Sequence, residues 1–164
     1  MTWFNFGSGD LKEGDSLPSV WLVDHRNEIL DPHEFKGEWQ VYYFYPKDNT
    51  PGCTKEGQEF SRLAPEFERN GIRIFGVSMD TPETHRSFRE KKNLYHPLIS
   101  DPQGEFAKRF GIRIMLGMCS RDTVIIDPEL RVDKIFRGVS PSNSPQEVLD
   151  YVLKNKETAK EADS

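Results

Sequence analysis

The stretch Trp39-Gln-Val-Tyr-Tyr-Phe-Tyr45 is a continuous apolar and aromatic run, the signature of a β-strand covered on both faces. It passes through Pro46-Lys-Asp-Asn49 into Thr50-Pro51, where a capping side chain followed by proline opens a helix. Phe60, Leu63 and Phe67 then recur at helical spacing, with Pro65 expected to bend or shorten that helix. Ile72 to Ser78 (IRIFGVS) is a second buried strand. A strand–helix–strand crossover places its two strands side by side and parallel. Downstream, Thr123 to Ile126 (TVII) is a third such strand. The short Pro128-Glu129 turn predicts an antiparallel partner within Arg131 to Val139, whose looser alternation suits a strand nearer the edge.

Upstream, Ser19-Val-Trp-Leu-Val-Asp24, then Arg26-Asn27 and Glu28-Ile-Leu30, read as a β-hairpin. Further helix starts fall at Thr81-Pro82, Asp101-Pro102 and Ser144-Pro145. Ser144 and Glu147 form a capping-box pair ahead of the apolar stripe Val148, Leu149, Val152 and Leu153. From about residue 155 a polar tail is expected to fray. The order is therefore hairpin, then β-α-β-α-(short α)-β-β-α. This is a thioredoxin-like α/β fold: a mixed central β-sheet flanked by helices, with an N-terminal β-hairpin extension, in a single domain over residues 1–164.

With 164 residues, the chain can build one substantial core. Apolar residues make up 35% and charged residues 30%, which suits a soluble globular protein, and eleven Phe, five Tyr and three Trp supply core volume. Lys plus Arg number 22 against 27 Asp plus Glu, for a net charge of -5, and no basic run stands out. Nucleic acid and anionic membrane are accordingly not expected partners. No segment approaches the ~20 apolar residues that span a bilayer. Met1 to Asp10 has neither the positive start nor the apolar run of a signal peptide, so the expected location is cytoplasmic, where thiols are kept reduced. Cys53 and Cys119 are too few for a disulfide framework. His25, His33, His85 and His96 are scattered without ligand spacing, and Gly-rich phosphate motifs are absent, so neither metal nor cofactor is expected.

One of the two cysteines sits where a thiol has use. With Thr50 at the N-cap, Cys53 falls in the first turn of its helix. Free amide hydrogens and the positive end of the helix dipole favour a thiolate there. Gly52 keeps side-chain bulk away from the sulfur. Strand end, helix start and thiol coincide at the carboxyl edge of the sheet, where open α/β sheets bind ligands. The position alone implies a reactive thiol and does not name its reaction; a thiol simply packed under the loop fits it as well.

The segment Phe44-Tyr-Pro46-Lys-Asp-Asn-Thr50-Pro-Gly-Cys53-Thr54 resembles the peroxiredoxin active-site loop, whose pattern is Pro-x-x-x-Thr-x-x-Cys. Its longer form is similar to that of the bacterioferritin comigratory protein (Q-type) subfamily of the AhpC/TSA family. The resemblance runs from about Leu11 to Leu153, taking in Gly76-Val77-Ser78, Pro97 to Asp101, and Arg121 six residues before Asp127. It implies a thiol peroxidase that reduces hydrogen peroxide and organic hydroperoxides, with Cys53 as peroxidatic nucleophile. Thr50 and the Cys53 amide would align the peroxide, Pro46 would shield the sulfur, and Arg121 would stabilise thiolate and leaving oxygen. Glu56 also matches the pattern, but an acid near a helix N-terminus has an ordinary reason to be there and stays outside the catalytic set.

The chain departs from that pattern in its second thiol. The position five after Cys53 is Gln58, and Thr81 to Asn93 holds no cysteine. Cys119, in Met115-Leu-Gly-Met-Cys-Ser-Arg121, is the remaining candidate resolving thiol. If one extended strand ran from residue 119 to 123, Cys119 would share a face with Arg121. Otherwise the enzyme works through one cysteine, and an outside thiol attacks the sulfenic acid. Thioredoxin or another thiol reductant is the implied partner, acting on a monomer or homodimer. A thioredoxin-like redox-sensing or partner-binding module without turnover is the alternative reading, whereas a dithiol oxidoreductase would need a Cys-x-x-Cys pair.

Overall fold

The structure is a computed structural model that describes residues 11–163. The N-terminal segment read for a signal peptide lies outside the described residues. In chain order the elements are β1 (Leu22–Asp24), β2 (Ile29–Leu30), a 3-10 turn (Pro32–Phe35), β3 (Trp39–Phe44), α1 (Pro51–Arg69), β4 (Ile72–Ser78), α2 (Pro82–Lys92), β5 (Leu98–Ser100), α3 (Glu105–Arg109), β6 (Ile114–Met115), β7 (Met118–Cys119), β8 (Thr123–Ile126), β9 (Val132–Phe136) and α4 (Ser144–Asp163). Among the described residues, seven strands form one sheet in the order β9-β8-β3-β4-β5-β1-β2. β3, β4 and β5 are parallel, and the remaining neighbours pair antiparallel. The mixed thioredoxin-like sheet, its N-terminal hairpin and the edge position of β9 are as the sequence implies.

Every residue of β3 is buried, because the strand is covered on both faces. Trp39, Val41, Tyr43 and Tyr45 join Phe60, Leu63 and Phe67 of α1, Phe88 of α2 and Val148, Leu149 and Val152 of α4 in one core cluster. Tyr42 and Phe44 point the other way, into a second cluster with Phe106, Phe110 and Ile112. Strand alternation thus divides the aromatic run between two layers. A β-carbon on Gly76 of β4 would lie 2.7 Å from the Tyr43 ring, so only glycine lets that ring cross the neighbouring strand.

Several local expectations are corrected. α1 runs unbroken through Pro65, so the proline does not shorten it. The short helix after Asp101 begins three residues beyond the predicted start, with Gly104 at its N-cap. The Asp101 carboxylate still serves it, accepting from the amides of Phe106 and Ala107 at 3.1 and 2.9 Å. The Ser144 hydroxyl has no hydrogen-bond partner, and the Glu147 amide donates to Asn143, so the capping box does not form. α4 continues through the polar tail to Asp163. Among the described residues, no helix is long and apolar enough to cross a membrane.

Candidate active site

Past Phe44 the chain leaves the carboxyl edge of the sheet, turns at Asn49 (φ 65°) and enters α1 at Pro51. A left-handed backbone is a conformation that Asn tolerates better than most residues. Thr50 is the N-cap residue, but its side chain makes no cap bond. Its hydroxyl instead donates to the Lys47 carbonyl at 2.9 Å, which leaves the oxygen lone pairs free to accept from a ligand. The amides that a first helical turn leaves without intrahelical partners, that of Cys53 among them, receive no acceptor from Thr50.

Cys53 is 1% exposed and faces the layer shared by α1 and α4. Arg121, on the connection between β7 and β8, reaches across to it. Its Nη2 lies 3.4 Å from Cys53 Sγ, and its Nη1 donates to Glu56 Oε1 at 2.8 Å. The Val139 amide donates to the Arg121 carbonyl at 2.9 Å and fixes the backbone behind the fork. Burial works against the guanidinium, yet its bonds to Cys53 and Glu56 hold it above its ordinary value, so it stays charged. A β-carbon on Gly52 would approach Arg121 Nη2 to 3.1 Å. Glycine at this position therefore makes room for the arginine.

Glu56 is the residue that sequence reasoning set aside. It is wholly buried, and its second oxygen, Oε2, has no hydrogen-bond partner. Burial pushes its carboxyl up to about 7, with Arg121 pulling the other way. A dipole role at the helix surface does not describe a carboxylate inside the core; its place in the arginine's coordination does. Two sequence signals pointed to it: its match to the subfamily pattern and its spacing, one helical turn after Cys53 on the same side.

The structure brings Cys53, Arg121 and Glu56 together, with Thr50 at the N-cap of the same helix, but places Cys119 differently. Extended structure does not run from residue 119 to 123. Cys119 pairs with Ile114 in the separate β6–β7 hairpin, and Ser120–Asp122 is an irregular connection. Its thiol lies in the second core cluster, on the opposite side of the sheet from Cys53. Burial, then the Asp101, Asp122 and Asp80 carboxylates, push that thiol up to about 12. Half-buried Pro46 and Cys119 nevertheless border one open, mostly apolar cleft of about 520 Å³, together with Met115, Leu116 and Met118. Two other clefts, beside Trp21 and beside His96, are lined by neither cysteine.

One guanidinium thus holds a buried carboxyl and a buried thiol at once. Within a thioredoxin-like fold, a lone thiol held this way defines the class: this is a thiol peroxidase. More particularly, the chain belongs to the AhpC/TSA family, whose model matches residues 13–135. Peroxiredoxin Bcp of Xanthomonas campestris pv. campestris is 38% identical over 121 residues, which cover 69% of this chain and 75% of that protein. The crystal structure of a cysteine-to-serine mutant of Xylella fastidiosa PrxQ matches with a TM-score of 0.85 at 31% identity, over 90% of this chain and 99% of that one. The bacterioferritin comigratory protein of Xanthomonas campestris, solved in trapped-intermediate and ligand complexes bearing on its alkyl peroxide reduction activity, matches with a TM-score of 0.79 at 31% identity. That match covers 86% of this chain and 99% of that one.

Proposed function

We propose that Cys53 is the peroxidatic nucleophile for hydrogen peroxide and organic hydroperoxides, served by Thr50, Arg121 and Pro46. The observation that carries this reading is the single guanidinium that touches both Cys53 Sγ and Glu56. The sulfur lone pair forms an S–O bond with the terminal peroxide oxygen as the O–O bond breaks. The departing oxygen takes a proton and leaves as water or alcohol, and the sulfur, oxidised by two electrons, becomes a sulfenic acid. Thr50 accepts from the peroxide hydroxyl, and Arg121 donates to the oxygen on which charge grows. Pro46, on the loop that leads to Cys53, borders the apolar cleft, whose methionines and Leu116 suit the carbon chain of an organic hydroperoxide.

Recycling then falls to an outside thiol. A reductant thiolate attacks the sulfenic sulfur, releasing water and forming a mixed disulfide, and a second thiol frees Cys53. Thioredoxin, with two thiols, or another thiol reductant provides both steps. Such a cycle suits a reducing compartment such as the cytoplasm. All the proposed groups come from one chain, so a monomer suffices and a homodimer is compatible. Cys119 as resolving thiol is the second reading, favoured by the cleft it shares with Pro46. Its position across the sheet and its raised thiol weigh against it.

Peroxide consumption by the purified protein with excess dithiothreitol tests turnover. Many equivalents should be consumed per protein. Consumption that stops at one equivalent would instead describe a redox sensor, and none at all would remove the peroxidase reading.

A further inference from the structure

A second buried cluster lies behind the active-site loop. Asp48, between Pro46 and Thr50, is only 5% exposed. Its Oδ2 lies 2.6 Å from Nδ1 of His85 on α2, and both side chains are wholly buried. The other ring nitrogen, Nε2, is 2.9 Å from the Ile99 carbonyl on β5. Tyr45 donates its hydroxyl to Asp48 Oδ1 at 2.6 Å, and the Asp48 amide donates to Asp80 Oδ2 at 2.9 Å. Asp80 Oδ2 also accepts from Ser78 Oγ at 2.5 Å. The ligand-type atoms of Asp48, Asp80 and His85 lie within 4.8 Å of one another, the spacing of a cation site, yet each is already engaged by another side chain or backbone group.

Proton bookkeeping makes this a single unit. A carbonyl only accepts, so His85 Nε2 carries a hydrogen. Between Nδ1 and Asp48 Oδ2 there is then one proton, on the ring or on the carboxyl, and the pair is neutral as a whole. Burial and the Asp48 carboxyl push the Tyr45 phenol well up, so it remains a donor. The loop being held is a demanding one, because Asn49, next to Asp48, is in the left-handed region. Thr50 follows, and its hydroxyl bonds back to Lys47 within the same turn.

We infer that Asp48 and His85 are a positioning pair for the peroxidase reaction: their shared proton ties the Pro46–Thr50 loop to α2 and β5, and so fixes Pro46 and Thr50 against Cys53. Neither residue touches the reacting atoms. The inference rests on the peroxidase reading given above, and it differs from a general packing role in what it expects. Misplacing an aligning group by about an ångström costs on the order of 100-fold in rate, whereas loss of packing alone costs stability without slowing the folded fraction.

The test uses His85→Leu, the double variant Asp48→Leu/His85→Leu, which leaves no unpaired buried charge, and Asp48→Asn. Asparagine can donate to neutral His85 Nδ1 while still accepting from Tyr45. Stopped-flow peroxide reaction should slow by about 10- to 100-fold in the first two, with the midpoint of thiolate absorbance against pH unchanged. The asparagine variant should stay close to the parent. A folded double variant with the parent's rate would overturn the pair's role, as would a midpoint shift large enough to account for the slower reaction. Amide exchange at Asn49 and Thr50 gives a reading even if the parent shows no peroxide reaction. Faster exchange in the double variant supports the tie, and unchanged exchange removes it.

Discussion

Cys53 and Cys119 are buried to almost the same degree, 1% and 2% exposed, and lie in the two core layers on opposite sides of one sheet. Around Cys53 are a helix start and a guanidinium at 3.4 Å. Around Cys119 are apolar side chains and, further out, three carboxylates that join burial in raising its thiol. Exposure therefore does not separate the two thiols. The surrounding charge does: a guanidinium faces Cys53, whereas carboxylates join burial in raising the Cys119 thiol.

That contrast can be broken most severely by Cys53→Ser, which should abolish the fast phase of the reaction with hydrogen peroxide in stopped-flow measurements. Arg121→Lys comes next. It keeps a charge but loses the planar fork that holds sulfur and Glu56 at once. A rate loss of about 100- to 1000-fold is expected, with a smaller change in thiolate titration. Unchanged rate and unchanged titration would remove Arg121 from the reaction.

Glu56→Gln sharpens the contrast through pH. The carboxyl, ordinarily near 4.5, is pushed up to about 7 in the fold. The folded state holds that proton more tightly than the unfolded chain does. The resulting stabilisation is fully present below about 4.5 and is lost as pH rises through about 7. Thermal melts of the parent should therefore contain a downward contribution across that window, on the order of 1–3 kcal/mol in all, and the glutamine variant should lack it. Melting curves of parent and variant that change in parallel with pH would refute a buried, titrating Glu56. The smallest effect on rate belongs to Cys119→Ser, which should leave peroxide reaction at the parent's level. Its cost appears in stability instead, about 1–3 kcal/mol for a hydroxyl placed in an apolar site.

Much of the fold was legible because its signals are local. The covered strand announces itself by unbroken apolar content, and Thr50-Pro51 and Thr81-Pro82 open helices where they stand. β5 was missed because three residues carry no periodicity; only pairing with β4 and β1 makes them a strand. The β6–β7 hairpin was missed because its turn uses Leu116 at φ 53° before Gly117, a conformation that leucine does not advertise. In the site, Cys53 was readable from its own helix start. Arg121 was not, since an arginine near a strand start is ordinarily a surface residue, and it entered only through resemblance. Glu56 matched the local pattern, but its contact with Arg121 and the Asp48–His85 contact depend on chain segments meeting in space, 65 and 37 residues apart, and no local pattern encodes those contacts.

The most direct measurement of the difference between the two thiols is to treat the reduced protein with one equivalent of hydrogen peroxide in the presence of a sulfenic-acid trap. Alkylation in denaturant and non-reducing peptide mapping by mass spectrometry then follow. The trap should be found on the Cys53 peptide alone, with Cys119 recovered as the alkylated free thiol. Trapped or oxidised Cys119 beside an unmodified Cys53, or a Cys53–Cys119 linked peptide as the main product, would contradict the assignment of one thiol to chemistry and the other to the core.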